Sequence, residues 1–184
     1  KQYGMDGVPK PDLIVYNTNQ CREVQDWFMW FANEFDCPIF GIKPPRYLDE
    51  VSKEDIEDVS IQFKDMIPLC EQASGRKFDI DAFKHTLSLS KEATDLWKDC
   101  LNTGKKLPSP ISFFDGTIHM GPIVVLRGTE KAKEYYQKLY KELQNNVENR
   151  VGFLQNADSR VYWEGMPIWG KLRYFSNLFA DNNS

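Results

Sequence analysis

Cys21 is the first residue whose type and position suggest chemistry. It follows the apolar run Leu13-Ile14-Val15-Tyr16 and the polar turn Asn17-Thr18-Asn19-Gln20, and it precedes a helical pattern. Open α/β sheets bind ligands beyond the carboxyl ends of their strands, and a helix amino terminus favours a thiolate, the form of cysteine that binds metal. On spacing alone, a free cysteine that merely fills this turn is the commoner case, so both interpretations stay open.

The other cysteines and one histidine are weaker candidates. Cys37 begins an apolar run, and Cys70 and Cys100 fall on apolar helical faces, so we expect all three thiols to pack in cores. His119 lies near Asp115 in a segment interrupted by glycine and proline. It could act as an acid or as a hydrogen-bond donor to substrate, although a structural role is favoured. No catalytic residue is assigned.

The loop from Trp163 to Pro167 follows a β-rich run over residues 160–163. Gly165 at the end of a strand would let backbone amides approach an anionic or carbonyl group. Glu164 could serve as a base or as a helix cap, and neither role is favoured. Trp163, Glu164 and Gly165, together with His119, are therefore the substrate-binding candidates.

The elements that would position Cys21 form a βαβ unit. A strand is predicted over residues 13–16, a helix from Arg22 to Phe35, and a second strand before Pro44-Pro45. Such a unit predicts a parallel sheet. Trp27, Trp30 and Phe31 have helical spacing in the connecting helix, which favours a core role over a ligand platform.

Helical patterns dominate from Tyr47 onward. Amphipathic helices, each with a polar capping residue at its start, are predicted over residues 52–75, 79–104 and 129–152. Between the second and third of these, Lys105 to Arg127 is predicted to be mostly irregular, with short turns or one-turn helices, because proline and glycine interrupt every period. A further helix is predicted over residues 167–179.

The predicted fold class is α/β. It consists of an incomplete Rossmann-like parallel βαβ unit, a helical subdomain, and the start of a second α/β unit that opens with a strand over residues 160–163. The corresponding domains are 1–46, 47–157 and 158–184. Three strands are too few for a complete doubly wound sheet, so we expect missing flanks on both sides.

Composition excludes several classes of function. A net charge of -4 and a pI near 5.3 provide no basic field for nucleic acid. No run approaches the roughly 18 apolar residues that a membrane span requires, and the widely spaced cysteines do not suggest a disulfide scaffold. We therefore expect a cytoplasmic protein. P-loop, GxGxxG, HExxH, GxSxG and EF-hand motifs do not occur in the sequence.

Several ordered segments together resemble the benzoyl-CoA reductase and 2-hydroxyglutaryl-CoA dehydratase subunit family. They are Pro11 to Cys21, Trp27, Phe40 to Pro44, Glu71 to Lys77, Leu126 to Thr129, and Arg160 to Trp169. No single segment is decisive, but their order and spacing cover nearly the whole chain. The resemblance implies two related subunits, each with two α/β domains, a helical domain, and three cysteines that hold a 4Fe-4S cluster.

The same resemblance implies that Cys21 is the second cluster ligand. The first would lie upstream of Lys1 and the third beyond Ser184, so the fragment is expected to hold no cluster and to be inactive alone. The implied partners are a paralogous second subunit that completes a heterodimer, an ATP-dependent iron-sulfur activator protein, and an acyl-CoA substrate.

Three functions stay open for the parent protein. The first choice is an oxygen-sensitive 2-hydroxyacyl-CoA dehydratase. For this enzyme the resemblance implies that a donor supplies one electron to the substrate, and that the resulting ketyl radical makes elimination of water possible. The second is an ATP-dependent benzoyl-CoA-type aromatic ring reductase. The third is a subunit that relays electrons or has a structural role and does not bind substrate.

Overall fold

The computed structural model describes residues 7–45 and 50–184. These residues belong to two compact units, unit 1 within Lys1–Asp79 and unit 2 comprising Ile80–Ser184. The first predicted domain boundary, at residues 46–47, lies outside the described residues. The division into 1–46, 47–157 and 158–184 stays a prediction.

Unit 1 contains a two-stranded parallel sheet. Strand β1 (Ile14–Asn17) pairs with β2 (Ile39–Ile42), and helix α1 (Arg22–Phe35) connects them and packs against both. The predicted βαβ unit and its parallel pairing are confirmed, and the fold is α/β with mostly helical content. Two strands are too few to define a Rossmann-like strand order.

Helix α1 directs one narrow stripe toward the strands. Ala32 is buried, and the ring of Phe28, one turn earlier, lies 6.0 Å from the ring of Tyr16 in β1. Trp27 and Trp30 are 65% and 58% exposed. The prediction that both tryptophans pack in the core is therefore wrong for the described structure, because residues three and four apart share a face and the stripe of Phe28 and Ala32 excludes them.

The sheet is closely packed at one glycine. A Cβ atom at Gly41 in β2 would lie 2.9 Å from Cζ of Tyr16, the residue of β1 that pairs with Gly41. Any side chain at Gly41 would displace that ring, so the glycine permits the ring of Tyr16 to lie across the sheet.

Helix α2 (Lys53–Ser74) begins with the predicted capping box. Ser52 Oγ accepts from the Asp55 N–H and the Asp55 carboxylate accepts from the Ser52 N–H. The helix continues through Pro68 and ends at Gly75, which has a φ of 67°. The side-chain amide of Gln62 in this helix bonds both the N–H and the carbonyl of Lys43, with distances of 2.7 and 3.0 Å, and so ties α2 to the end of β2.

Unit 2 has a helical core. Helices α3 (Ile80–Thr103) and α6 (Glu130–Glu148) pack against each other, with the capping hydroxyl of Thr129 bonded to the Ala132 N–H. Ala93 and Ala132 are completely buried in this core. The remaining buried members are Cys100, Ile111, Ile123, Tyr136, Leu139 and Leu143. Small side chains allow helices to approach closely, which explains the two alanines.

The segment between these helices contains two short helices, α4 (Phe113–His119) and α5 (Gly121–Val125). A second capping box, formed by Ser112 and Asp115, starts α4. A one-turn 3-10 helix (Trp169–Lys171) and helix α7 (Leu172–Asp181) end the described chain. The predicted final helix therefore begins later than residue 167.

The strand predicted over residues 160–163 is absent, and these residues have irregular backbone. The sequence is β-rich, but a strand requires a neighbour for its backbone hydrogen bonds, and residues 7–45 and 50–184 offer none to this segment. The prediction of a strand that opens a second α/β unit is therefore wrong for this structure.

Within the described ranges, none of the helices combines the length and the apolar character needed to cross a lipid bilayer.

Candidate functional site

Cys21 lies at the turn between β1 and α1, as the sequence predicts. It is the residue immediately before the first residue of α1, its backbone is extended with φ of -59° and ψ of 155°, and it is exposed. The exposed thiol does not cap the helix through its side chain. Both interpretations of Cys21, as a metal ligand and as a residue that merely fills the turn, stay predictions.

The turn before Cys21 is built by polar side chains. The Asn17 carboxamide accepts from the Asn19 N–H at 2.8 Å, and the Gln25 amide donates to the Gln20 carbonyl at 2.7 Å and the Thr18 carbonyl at 3.2 Å. These bonds fix the backbone that carries the thiol. The Thr18 hydroxyl oxygen is buried and has no hydrogen-bond partner among the described residues.

The other thiols lie in more protected places. Cys100 is completely buried in unit 2, as predicted, whereas Cys37 and Cys70 are half-buried in unit 1. Burial raises the pKa of the Cys100 thiol to about 12, and the nearby Asp99 carboxylate adds to this effect. Because its side chain is completely buried in the helical core, Cys100 is not a ligand candidate.

His119 is the last residue of α4 and is held by two successive tyrosines. Its Nδ1 atom lies 2.6 Å from the Tyr135 hydroxyl, and its carbonyl accepts from the Tyr136 hydroxyl at 2.8 Å. The buried Tyr136 hydroxyl in turn accepts from the Ile123 N–H at 2.9 Å. The half-buried imidazole is thus oriented through Nδ1, which leaves Nε2 as the atom for any external contact.

Trp163 is the centre of an aromatic cluster in unit 2. Its ring lies nearly parallel to that of Phe113, with a centroid distance of 5.9 Å and an angle of 14°. Phe114, Phe175 and Phe179 pack against it at steeper angles. Trp163 is therefore a packed residue with a partly accessible ring.

Glu164 and Gly165 are both exposed beside this cluster. Gly165 has a φ of 97°, a conformation that favours glycine. Glu164 does not cap a helix, because the following 3-10 helix begins only at Trp169. Of its two predicted roles, the cap is wrong.

A cavity of about 530 Å³ lies between α4, the segment after α3 and the segment before α7. Phe113, Phe114, Trp163 and Phe179 line its apolar side, while Asp158 and Arg160 contribute charged groups to its wall. The structure thus brings Trp163 into a cavity. His119 lies at the opposite end of α4 from Phe113 and does not line it.

Several residues of this cavity were missed by sequence reasoning. Phe113 and Phe114 fall in the stretch that was predicted to be mostly irregular. The capping-box pattern of Ser112 and Asp115 was the available signal for a helix there. No local pattern connects Arg160 with α3, where its guanidinium Nη2 donates to the Gly104 and Lys106 carbonyls at 3.0 and 2.8 Å.

A family model described as "2-hydroxyglutaryl-CoA dehydratase, D-component" matches residues 1–184. The chain belongs to this family. This membership confirms the resemblance inferred from the ordered segments, which extend along the chain from the region of Cys21 to the region of Trp163.

The relatives of this chain include both dehydratase and reductase subunits. The chain is 32% identical to a benzoyl-CoA reductase subunit of Thauera aromatica over 187 residues, and 30% identical to the (R)-phenyllactyl-CoA dehydratase alpha subunit of Clostridium sporogenes over 169 residues. These alignments cover 96% and 91% of this chain but 43% and 42% of the relatives. A further relative, the (R)-2-hydroxyglutaryl-CoA dehydratase alpha subunit of Acidaminococcus fermentans, is 28% identical over 180 residues, which cover 97% of this chain and 37% of that protein. The chain thus spans about two fifths of the length of the relatives it matches.

Two of the segments that resemble the D-component family stabilise turns. After α2, the Glu71 carboxylate accepts from Lys77 Nζ and from the Phe78 N–H, both at 2.8 Å, and the hydrogen bond from Lys77 lowers the pKa of Glu71. Before α6, the Arg127 guanidinium donates to the Thr94 hydroxyl at 3.1 Å. A Cβ at Gly128 would lie 2.6 Å from Thr86 Cγ2. Both segments therefore have a structural explanation.

Cys21 fits one part of an iron-sulfur site. A thiolate is the usual ligand of such clusters, and Cys21 is an exposed thiol on a fixed turn. The described part of the chain contains no group of three or more histidine, cysteine, aspartate or glutamate side chains that could hold a metal ion. Cys21 is thus a thiol of this D-component family member that could contribute one ligand to such a site.

Proposed function

We propose that the full-length protein is a subunit of an oxygen-sensitive, cytoplasmic 2-hydroxyacyl-CoA dehydratase. The observation that carries the proposal is the exposed Cys21 thiol at the carboxyl end of a parallel strand and the amino end of α1. That edge of a parallel sheet is where α/β proteins bind ligands and cofactors. The names of the dehydratase relatives supply the substrate class, a 2-hydroxyacyl-CoA.

Cys21 would hold one iron of a 4Fe-4S cluster, with the other cysteine ligands in parts of the protein beyond this chain. When bound, the cluster would supply transfer of a single electron to the thioester carbonyl, so that a ketyl radical makes elimination of water from the 2-hydroxyacyl group possible. An ATP-dependent iron-sulfur activator protein would provide that electron. A paralogous second subunit would complete the heterodimer.

The residues of this chain have simpler roles in the proposal. The turn before α1 would hold the Cys21 thiol in place, because Asn17 and Gln25 fix the backbone that precedes it. His119, oriented by Tyr135, would hold or donate a proton at Nε2. Trp163 would exclude water beside the substrate, and Glu164 and Gly165 would contact it from the adjacent loop.

The βαβ unit would form part of a larger Rossmann-like sheet in the full-length protein. The outer edges of β1 and β2, which have no ladder partner among the described residues, are suited to further strands. Residues 158–184 would then start a second α/β domain after the helical domain at 47–157.

A benzoyl-CoA-type aromatic ring reductase is the second candidate function. It is favoured by the 32% identity to the benzoyl-CoA reductase relative, which is as high as the identity to the dehydratase relatives. The two functions share an acyl-CoA substrate and differ in the outcome, since one eliminates water and the other reduces a ring.

An anaerobic assay separates these functions. The full-length complex with its activator and ATP is incubated with a 2-hydroxyacyl-CoA or with benzoyl-CoA, and the products are identified by mass spectrometry. We expect an enoyl-CoA from the 2-hydroxyacyl-CoA. Turnover of benzoyl-CoA alone would replace the dehydratase proposal with the reductase.

The ligand role of Cys21 has its own test. We expect Cys21→Ala in the full-length protein to lower the iron content after anaerobic purification and to abolish turnover, because one cluster ligand is removed. Cys37→Ala, a matched change at a half-buried thiol of the same unit, is expected to retain iron. Equal iron in both variants would reject Cys21 as a ligand.

A further inference from the structure

The cavity of unit 2 has the size of a small-molecule site. Its volume of about 530 Å³ lies within the range of ligand pockets in proteins, roughly 300–1,000 Å³. All of its wall comes from unit 2. Neither the family match nor the names of the relatives assign a ligand to it.

One side of the cavity is aromatic. Phe113 is 45% exposed and its ring is nearly parallel to that of Trp163, whereas the buried Phe114 meets Trp163 edge to face at 77°. The ring of Phe179 packs against the ring of Phe114, with a centroid distance of 5.8 Å. Rings in such arrangements attract a further ring through offset stacking or edge contacts.

Backbone contacts hold the cavity walls together. The Phe153 N–H donates to the Ser109 carbonyl at 3.0 Å, and a Cβ at Gly152 would lie 2.5 Å from Pro108 Cβ. The Arg160 guanidinium binds two carbonyls at the end of α3, where a cation is favoured by the helix dipole. These bonds join three separate stretches of the chain, so the cavity is part of the packed structure.

The two charged groups of the cavity wall form hydrogen bonds within the protein. Asp158 accepts from the Asn183 side chain at 3.2 Å, and Arg160 is bonded to the carbonyls of Gly104 and Lys106. Lys105 and Lys106 are exposed in the same turn that Arg160 binds. The interior is thus apolar and its edge is basic, which complements a ligand with an apolar end and an anionic remainder.

We infer that this cavity binds the acyl group of the acyl-CoA, and that it takes an acyl group ending in an aromatic ring in preference to one ending in a carboxylate. The inference rests on the proposed function and adds the location and class of the acyl group. A ring gains contacts with Phe113 and Trp163, whereas a carboxylate loses hydration in the apolar interior. The basic edge at Lys105 and Lys106 suits the phosphate groups of coenzyme A.

The test measures equilibrium binding to the full-length complex by titration calorimetry. 3-Phenylpropionyl-CoA and glutaryl-CoA are the probes, because neither carries a 2-hydroxyl group that could be eliminated. We expect 3-phenylpropionyl-CoA to bind at least about tenfold more tightly, the equivalent of one well-formed aromatic pair.

Two variants examine the aromatic side of the cavity. Trp163→Leu and Phe113→Leu are each expected to weaken binding of 3-phenylpropionyl-CoA by about tenfold while changing the affinity for glutaryl-CoA much less. Tyr162→Leu is the matched control, since Tyr162 is 86% exposed and does not line the cavity. If Trp163→Leu fails to fold, Phe113→Leu still tests the inference. Phe113 is more exposed than Phe114, so its substitution disturbs the packing less.

Two results would overturn the inference. One is equal or tighter binding of glutaryl-CoA by the wild-type complex, and the other is unchanged binding of 3-phenylpropionyl-CoA in both cavity variants. A complex that gives either result and still dehydrates a 2-hydroxyacyl-CoA would leave the proposed function intact. Failure of the proposed function is recognised separately, by the absence of dehydration in the activated wild-type complex.

Discussion

The hydroxyl of Tyr135 lies 2.6 Å from Nδ1 of His119, and the next residue along α6, Tyr136, binds the carbonyl of the same histidine at 2.8 Å. Successive residues of a helix point about 100° apart, so the two tyrosines reach the histidine from different sides. The ring and the backbone of His119 are therefore fixed separately, and each contact can be removed alone.

Removal of the Tyr135 hydroxyl should release the ring of His119. In Tyr135→Phe, Nδ1 loses its partner, and we expect the populations of the two imidazole tautomers to change. The nitrogen chemical shifts of selectively labelled histidine in the full-length protein measure this change. Tyr162→Phe, at an exposed tyrosine, should leave the shifts as they are, and unchanged shifts in Tyr135→Phe would mean that the contact does not set the tautomer.

Removal of the Tyr136 hydroxyl should destabilise the protein more. Tyr136→Phe leaves the Ile123 N–H and the His119 carbonyl without their buried partner, which typically costs about 1–3 kcal/mol of unfolding free energy. The urea midpoint of the full-length protein measures the loss. A midpoint equal to that of Tyr162→Phe would show that water or the protein replaces both bonds.

The elements around Cys21 were predictable because their signals are local. The spacing of the apolar residues and the turn residues on either side predict α1 with the observed ends, Arg22 and Phe35. The apolar residues are Val24, Trp27, Phe28, Phe31 and Phe35. The strands of the βαβ unit are short β-rich runs, and a single helix between them implies parallel pairing. The exposure of Trp27 was not predictable, since helical spacing identifies a face without saying what covers it.

The cavity was not predictable because distant contacts create it. Phe113 and Trp163 lie far apart in sequence, and the contacts that bring their segments together involve Gly152 with Pro108 and Arg160 with Gly104. None of these pairs has a periodic or motif signal. The incorrect prediction of a strand at residues 160–163 has the same cause, because a strand forms only where a neighbouring strand is available and local propensity does not supply one.

The crossing of α3 and α6 should tolerate no larger side chain. Ala132 is completely buried, and Ala132→Leu introduces three additional carbon atoms into a packed core, which typically costs about 1–3 kcal/mol. Ala73→Leu is the matched control at an exposed position of α2. Thermal unfolding of the full-length protein measures both variants, and equal melting temperatures would contradict close packing at Ala132.

Cys100 should make the folded protein sensitive to alkaline pH. Burial raises its pKa to about 12 from an ordinary value of 9.0, so the unfolded thiol ionises first as the pH rises through that interval. The contribution of the protonated thiol to stability is complete below pH 9.0 and declines toward pH 12. In Cys100→Ala, the fall in the urea midpoint over this range should be smaller than in the wild type.

Thiol labelling provides an independent measurement for Cys100. At about pH 9, iodoacetamide should leave Cys100 unmodified in the folded protein and modify it in the same protein in urea, since only the thiolate reacts. Mass spectrometry of the resulting peptides gives the extent of labelling. Modification at the same rate in both conditions would contradict the burial of this thiol.

The two-stranded sheet has a practical consequence for handling the protein. A pair of parallel strands is marginal in isolation, and the outer edges of β1 and β2 have no ladder partner within the described residues. Such edges recruit strands from other molecules. The exposed tryptophans of α1 add an apolar surface to the same unit. Expression of residues 1–184 alone should therefore give aggregates or inclusion bodies, and a partner that covers these edges should increase the yield of soluble protein.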